Sequence, residues 1–379
     1  MSLFRQIFFI LSALLLAAPA VAQTQPVPPT LTAKSWLLLE VGSGQVLGAE
    51  KPDESLDPAS LTKLMTAYLT FQALRQKTLS LSQTLPVSEK AWRTGGSKMF
   101  VRVGHQVPVD DLLKGAIVQS GNDACVVLAE GIAGSEENFA QQMNREAERL
   151  GMKNTRFKNA TGLTDPQHTS TARDLSLLAA ALIRDFPEEY HRYYSMKEFT
   201  YNKIKQANRN DLLRLDPTVD GMKTGHTEAA GYCLIASALR DQRRLLSVLL
   251  GADSEAGRIS ESQKLLNWGF LSYEAVPLYT KGQAISSLRV WKGAQNQIKA
   301  GLGSDLTLAV PKGMGDKVRA EISPQQRLMA PVEAGQIIAT LKFSVDGKPY
   351  GEYPVEALES VPLAGAFGRA VDTAKLWFD

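Results

Sequence analysis

The order of apolar and polar positions changes character several times along this chain. From Ser35 to Leu47 an apolar run, Trp36-Leu37-Leu38-Leu39 with Val41, stops at Gly42-Ser43-Gly44 and resumes at Val46-Leu47. That is the pattern of two short strands around a turn. From Pro58 to about Leu74 the spacing becomes helical, with Leu61, Leu64, Met65, Tyr68 and Leu69 three and four residues apart. The pattern predicts further helices over 109–120, 123–132, 136–150, 172–184 and 260–269. Ahead of the last of these, 231–239 and 244–251 are apolar runs joined by Asp241-Gln242, and they read as buried strands.

After about Tyr273 the helical patterns stop. Short β-like runs follow at 288–291, 306–310, 318–322, 336–343 and 353–358, with the hairpin dipeptide Asp346-Gly347 among the turns. The last segment is helical again. Phe367, Ala370, Val371, Ala374, Trp377 and Phe378 share one face, and Arg369, Asp372 and Lys375 lie elsewhere on the wheel. It reads either as an interfacial membrane helix or as a terminal helix docked on the protein. At the other end, Arg5 precedes the apolar stretch 7–16, and Ala20-Val21-Ala22 fits a small-x-small cleavage site. The stretch is shorter than the roughly 20 residues a membrane span needs, so cleavage is expected rather than an uncleaved anchor. The expected organisation is a signal peptide (1–22), a Pro-rich linker (23–34), a mixed α+β domain (35–274), an all-β domain (275–362) and an amphipathic helix (363–379).

Composition narrows the function class. The 379 residues are 44% hydrophobic and 21% charged with a formal net charge of +3, so a packed core is affordable and nucleic acid is not an expected partner. The two cysteines, Cys125 and Cys233, both lie in apolar runs. They read as two buried thiols or as one bridge in an oxidising compartment. There is no metal motif such as H-E-x-x-H, and the four histidines are scattered, which disfavours a Ser-His-Asp triad. No cofactor is expected.

Three short motifs carry chemistry. Asp57-Pro58-Ala59-Ser60 has the form of a helix start, with Asp57 as cap and Pro58 at the first position. Ser60 and Lys63 then share a face. A serine hydroxyl needs a base, and a lysine made neutral by burial and by the positive end of a helix can serve. Ser120-Gly121-Asn122 falls between two helical patterns, where a hydroxyl and a carboxamide could relay a proton and hold an amide. Lys223-Thr224-Gly225, then His226-Thr227, comes just before the strand predicted at 231–239, with a turn expected at Asp220-Gly221. The lysine and threonine could bind a carboxylate, and the glycine would admit close backbone approach. Each motif alone is weak. In this order they form a specific set, with Ser-Gly-Asn in the place of the Ser-Asp-Asn of related enzymes.

The chain resembles the low-molecular-mass penicillin-binding proteins, in particular D-alanyl-D-alanine carboxypeptidases of the penicillin-binding protein 5 type. The likeness extends through 57–63, 119–125 and 219–227 and over nearly the whole chain beyond the leader. It implies a β-lactamase/transpeptidase-like catalytic domain, a helical lobe around an antiparallel sheet, followed by a small β-sandwich-like domain. It implies that Ser60 is acylated with Lys63 as base, that Ser120 and Asn122 assist proton transfer and orientation, and that Lys223 and Thr224 bind near the substrate carboxylate. His226 would add a backbone N–H to an oxyanion hole. Arg209 and Arg258 resemble substrate-region positions and otherwise read as surface charges. Peptidoglycan stem peptides and β-lactam antibiotics are the implied partners. The implied location is the periplasm of a Gram-negative bacterium, with the last helix on the inner-membrane surface.

Three rivals stand beside this reading. A class A β-lactamase would need a glutamate between the second and third motifs, and 149–187 contains none. A D,D-endopeptidase uses the same chemistry on cross-linked peptides. A non-catalytic cell-wall binding protein is disfavoured by the intact Ser60, Lys63, Ser120 and Lys223.

Overall fold

The computed structural model describes residues 26–324 and 327–377. The leader expected at 1–22 and the end of the last helix at Phe378 lie outside these residues.

In chain order the first part contains β1 (Ser35–Glu40), β2 (Gln45–Glu50), α1 (Lys63–Arg75), β3 (Thr84–Pro86), α2 (Glu89–Arg93), β4 (Gln106–Pro108), α3 (Val109–Val118), α4 (Asn122–Ala133), α5 (Glu136–Arg149), α6 (Ala172–Asp185) and α7 (Pro187–Tyr194). The hairpin β5 (Glu198–Tyr201) and β6 (Ile204–Ala207), α8 (Leu212–Leu215), β7 (Val219–Thr227), β8 (Gly231–Arg240), β9 (Arg243–Ala252) and α9 (Glu255–Ser272) complete it. Five strands form one antiparallel sheet in the order β2-β1-β9-β8-β7. The unbroken apolar run in β1 follows from its position in this sheet. Leu37 and Leu39 join the core shared with α1, α3, α4, α5 and α6, while Trp36 and Leu38 face the core closed by Leu265 and Leu266 of α9. A strand covered on both faces has no polar side to show.

The second part is all β apart from a short 3-10 turn: β10 (Tyr273–Tyr279), β11 (Ala284–Trp291), β12 (Gln297–Gly301), β13 (Leu306–Pro311), β14 (Val318–Pro324), β15 (Leu328–Met329), β16 (Ile337–Val345) and β17 (Lys348–Ala357). β10 pairs with β13, and the others form a six-stranded sheet. Leu306, Leu308 and Val310 of β13 share a buried cluster with Ile338, Leu341 and Phe343 of β16, so the two sheets face one another. β16 and β17 join through Asp346-Gly347, both at positive φ, the two-residue turn whose twist suits a hairpin. Gln45 of β2 exchanges two hydrogen bonds with the Ala309 backbone, fastening the second part to the first sheet.

Several expectations change. Ala59–Thr62 is a 3-10 turn and the α-helix begins only at Lys63. Asp57 does not cap that helix; its Oδ1 accepts from the Ala59 N–H at 2.7 Å. Lys223-Thr224-Gly225 precedes the expected strand, β8, but is itself part of a strand, β7, which is the sheet's outer edge. Asp220-Gly221 belongs to that strand too. The segment read as a linker ends packed: Ala33 is buried, and Thr32 and Ala33 donate to the Glu261 carboxylate of α9. Cys125 and Cys233 are buried and unpaired, as thiols.

The last helix, α10 (Ala366–Lys375), meets the β part through its polar side. Asp372 accepts from the Lys292 N–H at 2.6 Å and is buried. Phe367 and Trp377 are 83% and 86% exposed, so the apolar face is not the docked one. Among the described residues no helix is long and apolar enough to cross a membrane.

Candidate active site

The 3-10 turn carrying Ser60 sits where β7, α4 and the loop 159–164 converge. Glycines make this approach possible. Gly162 has φ +80°, and a Cβ there would lie 1.8 Å from the Ala59 carbonyl oxygen. A Cβ on Gly225 would lie 3.2 Å from the Ser60 nitrogen. β7 therefore runs directly beside the Ser60 backbone. Asp57 ties the same three pieces together: besides Ala59 it accepts from Thr164 Oγ1 at 2.8 Å and from Thr227 Oγ1 at 3.2 Å.

Lys63, the first residue of α1, is fully buried. Its Nζ is 2.8 Å from Ser60 Oγ, 2.7 Å from Asn122 Oδ1 and 2.5 Å from the Thr161 carbonyl oxygen. Two of these partners can only accept. A neutral amine has two N–H groups and one lone pair, so giving both hydrogens to Asn122 and Thr161 leaves the lone pair for the Ser60 hydroxyl. Burial lowers the Lys63 pKa to about 8, with Arg209 adding to the effect and the nearby Cys125 and Asp123 opposing it. The neutral form is thus accessible near neutral pH.

Ser120 follows the end of α3 at φ +65°, a strained position for serine. Its Oγ lies 2.9 Å from Lys223 Nζ, which also donates to the Thr224 carbonyl at 2.9 Å. Burial, then the charges of Lys63 and Arg209, hold the Lys223 pKa well below its ordinary value. Asn122 opens α4 and anchors its amide by donating to the Gly95 carbonyl at 2.7 Å. The next residue, Asp123, is a buried clamp whose carboxylate accepts from the N–H groups of Met99, Phe100 and Val101, fixing one cleft wall.

These residues open onto a cleft of about 370 Å³ lined by Ser60, Ser120, Asn122, Thr224, Gly225 and His226, with Arg209 and Arg258 also in its lining. All ten residues singled out in the sequence meet here, with Lys63 and Lys223 just behind the surface. Arg209 is held between Asn208 and Asn210, which are buried and bonded to the Met196 and Gly221 carbonyls. Arg258 is buried on α9. The His226 ring is tilted against that of Tyr232, 4.2 Å between centroids.

Sequence reasoning missed the supports. Thr161 contributes a backbone oxygen, which has no side-chain signature. Glu136 fixes that loop by accepting from the Ala160 N–H at 3.0 Å. His168 is buried with Nε2 2.8 Å from Thr62 Oγ1 and Nδ1 accepting from the Lys158 N–H at 3.3 Å. Nδ1 is then the bare nitrogen, and Nε2 carries the hydrogen donated to Thr62. Among the described residues no cluster of His, Cys, Asp and Glu is arranged to hold a metal.

Comparison with known proteins agrees over both parts. A family profile described as D-alanyl-D-alanine carboxypeptidase matches residues 21–254, and one described as penicillin-binding protein 5, C-terminal domain, matches 273–363. The chain is 43% identical over 373 residues to D-alanyl-D-alanine carboxypeptidase DacC of Escherichia coli (strain K12), covering 96% of this chain and 93% of that one. The structure of penicillin binding protein 5 from Haemophilus influenzae superposes with a TM-score of 0.85 at 43% identity, covering 89% of this chain and 99% of that one. Penicillin-Binding Protein D2 from Listeria monocytogenes in its ampicillin-bound form gives a TM-score of 0.59 at 32% identity, covering 64% and 99%. On the length and level of these matches, the chain belongs to the D-alanyl-D-alanine carboxypeptidase family.

Proposed function

We propose that this protein removes the terminal D-alanine from peptidoglycan stem pentapeptides through an acyl-enzyme on Ser60. The observation that carries the reading is the buried Lys63 amine, 2.8 Å from Ser60 Oγ and 2.7 and 2.5 Å from the Asn122 and Thr161 oxygens. Lys63 takes the hydroxyl proton as Ser60 attacks the carbonyl between the two D-alanines. The backbone N–H groups of Ser60 and His226 hold the developing oxyanion, a reading supported by the close approach of β7 to Ser60, whose nitrogen would lie 3.2 Å from a Cβ on Gly225. Ser120, with Lys223 behind it, delivers a proton to the departing amine. Thr224, Arg209 and Arg258 receive the terminal carboxylate. Water then hydrolyses the ester. Penicillin carries a similar carboxylate next to its reactive amide and acylates Ser60 in place of substrate.

The same proposal divides the chain into a leader (1–22), a catalytic part (35–274) and a β part (275–362), supported by the change from α9 to β10 at Ser272–Tyr273. It locates the protein in the periplasm, on the inner-membrane surface through 363–379. The exposed Phe367 and Trp377 support that attachment.

Substrate choice and β-lactam handling test the reading together. The full chain should release D-alanine from a stem pentapeptide faster than it cuts cross-linked muropeptide, and should retain penicilloyl on Ser60 through gel filtration. Preference for the cross-link would make it an endopeptidase. Rapid clearance of free penicillin would make it a β-lactamase.

A further inference from the structure

The proposed carboxylate end of the cleft has an occupant of its own. Arg258 has a side chain only 4% exposed, yet its guanidinium is poorly satisfied. Nη1 reaches the Gly225 carbonyl at 3.4 Å, at the long limit of a hydrogen bond, and Nε is buried without a partner. Its one close partner is Glu255, three residues earlier in the first turn of α9, with Oε1 2.5 Å from Nη2. The Glu255 side chain is 64% exposed and is the one acidic group among the described residues lining the cleft. The rest of that wall is cationic or neutral: Arg209, Thr224, His226 and Tyr232.

Chemically, Glu255 offers Arg258 what a substrate's terminal carboxylate would offer. The two differ in what holds them. Glu255 keeps most of its hydration and makes only a single-point contact with the buried Arg258. An incoming carboxylate would be desolvated between two guanidiniums and the Thr224 hydroxyl, and could pair bidentately. We infer that Glu255 is a displaceable counter-ion, a specificity residue that occupies Arg258 in the free enzyme and must be expelled by the substrate carboxylate. This rests on the carboxypeptidase reading of the cleft. The contact neutralises a buried cation between turnovers. It also sets a threshold that a free carboxylate passes and a weaker anion or neutral chain end does not.

The opposite role, in which Glu255 orients Arg258 for binding, predicts the opposite sign. The test is direct binding of a D-Ala-D-Ala-terminated peptide and of its C-terminal amide to full-length Ser60→Ala protein, with and without Glu255→Gln. Displacement predicts at least about two-fold tighter binding of the free acid in the Glu255→Gln background, the lower bound set by a fully exposed ion pair, with the amide unchanged. Unchanged or weaker binding of the acid, or an equal gain for the amide, overturns the inference. Glu255→Ala should repeat the Gln result if charge and not shape is responsible. Because binding is read without turnover, this result stands apart from whether wild-type protein releases D-alanine, which decides the carboxypeptidase reading itself.

Discussion

In the proposed mechanism Lys63 is the centre of the chemistry, because its amine, buried 2.8 Å from Ser60 Oγ, can take the hydroxyl proton only when neutral. Its pKa near 8 gives a pH dependence with a fixed sign. Below 8 the amine is protonated and cannot accept the Ser60 proton; above 8 it can. Penicillin acylation measured from pH 6 to 10 should therefore rise about tenfold per unit below 8 and level off above. Lys63→Ala should lower acylation by a factor of about 10² to 10⁴, the usual worth of a general base. His168 makes a second residue-scale prediction. Burial pushes its pKa down to about 4, so it stays neutral in the folded protein, whereas the unfolded chain takes up a proton near 6.5. Stability from this group is full above 6.5 and is lost as pH falls from 6.5 to 4, by roughly 3 kcal/mol. Denaturant melts over that range should show wild type losing more stability than His168→Gln, which keeps a donor and an acceptor without the titration. The residues proposed to react could be picked out in the sequence by the fixed order of serine, lysine and asparagine, and the structure brings them together. Their supports could not, since Glu136 acts on the Ala160 backbone 24 residues away and Thr161 acts through its own carbonyl on Lys63, 98 residues away.

The nucleophile's element is a 3-10 turn seated between two glycine contacts, and the two differ in tolerance. Gly162→Ala has no space, with Ala59 oxygen at 1.8 Å and an unfavourable φ. It should cost about 2 kcal/mol or more and abolish acylation. Gly225→Ala meets Ala59 Cβ at 3.1 Å and the Ser60 nitrogen at 3.2 Å. There the neighbours need yield only a few tenths of an ångström, so thermal melting should change little while acylation falls severalfold. Losses of similar size in both variants, in both assays, would contradict the distinction. Helical periodicity found α3 to α6 to within a few residues: α5 and α6 alternate buried and exposed positions at helical spacing, while α4 is buried all round over Asn122–Ala129 and was legible from its apolar content. It missed α7, which is short and carries Glu188, Glu189, His191 and Arg192 among its three buried tyrosines. It also missed β7, whose Asp220, Gly221 and Lys223 look like a turn until β8 pairs with them along the sheet edge.

The whole molecule joins a catalytic part to a β part whose last helix turns Asp372 inward and Phe367 and Trp377 outward. A chain ending at Leu363 should keep its kcat on a soluble pentapeptide and lose co-sedimentation with vesicles of phosphatidylethanolamine and phosphatidylglycerol. Equal sedimentation of both chains would remove the helix from the account. The two-part division was legible because β-period runs replace helical ones after Tyr273, and the hairpin at Asp346-Gly347 could be read from its dipeptide. The docking of α10 by its polar face was not, since it depends on Asp372 meeting one backbone N–H 80 residues away in sequence. The most direct measurement of the central claim is D-alanine release from a pentapeptide ending in D-Ala-D-Ala, by the full chain and by its Ser60→Ala variant. The account predicts steady release by the first and none by the second. Release that survives in Ser60→Ala, or none from the wild type, would contradict it.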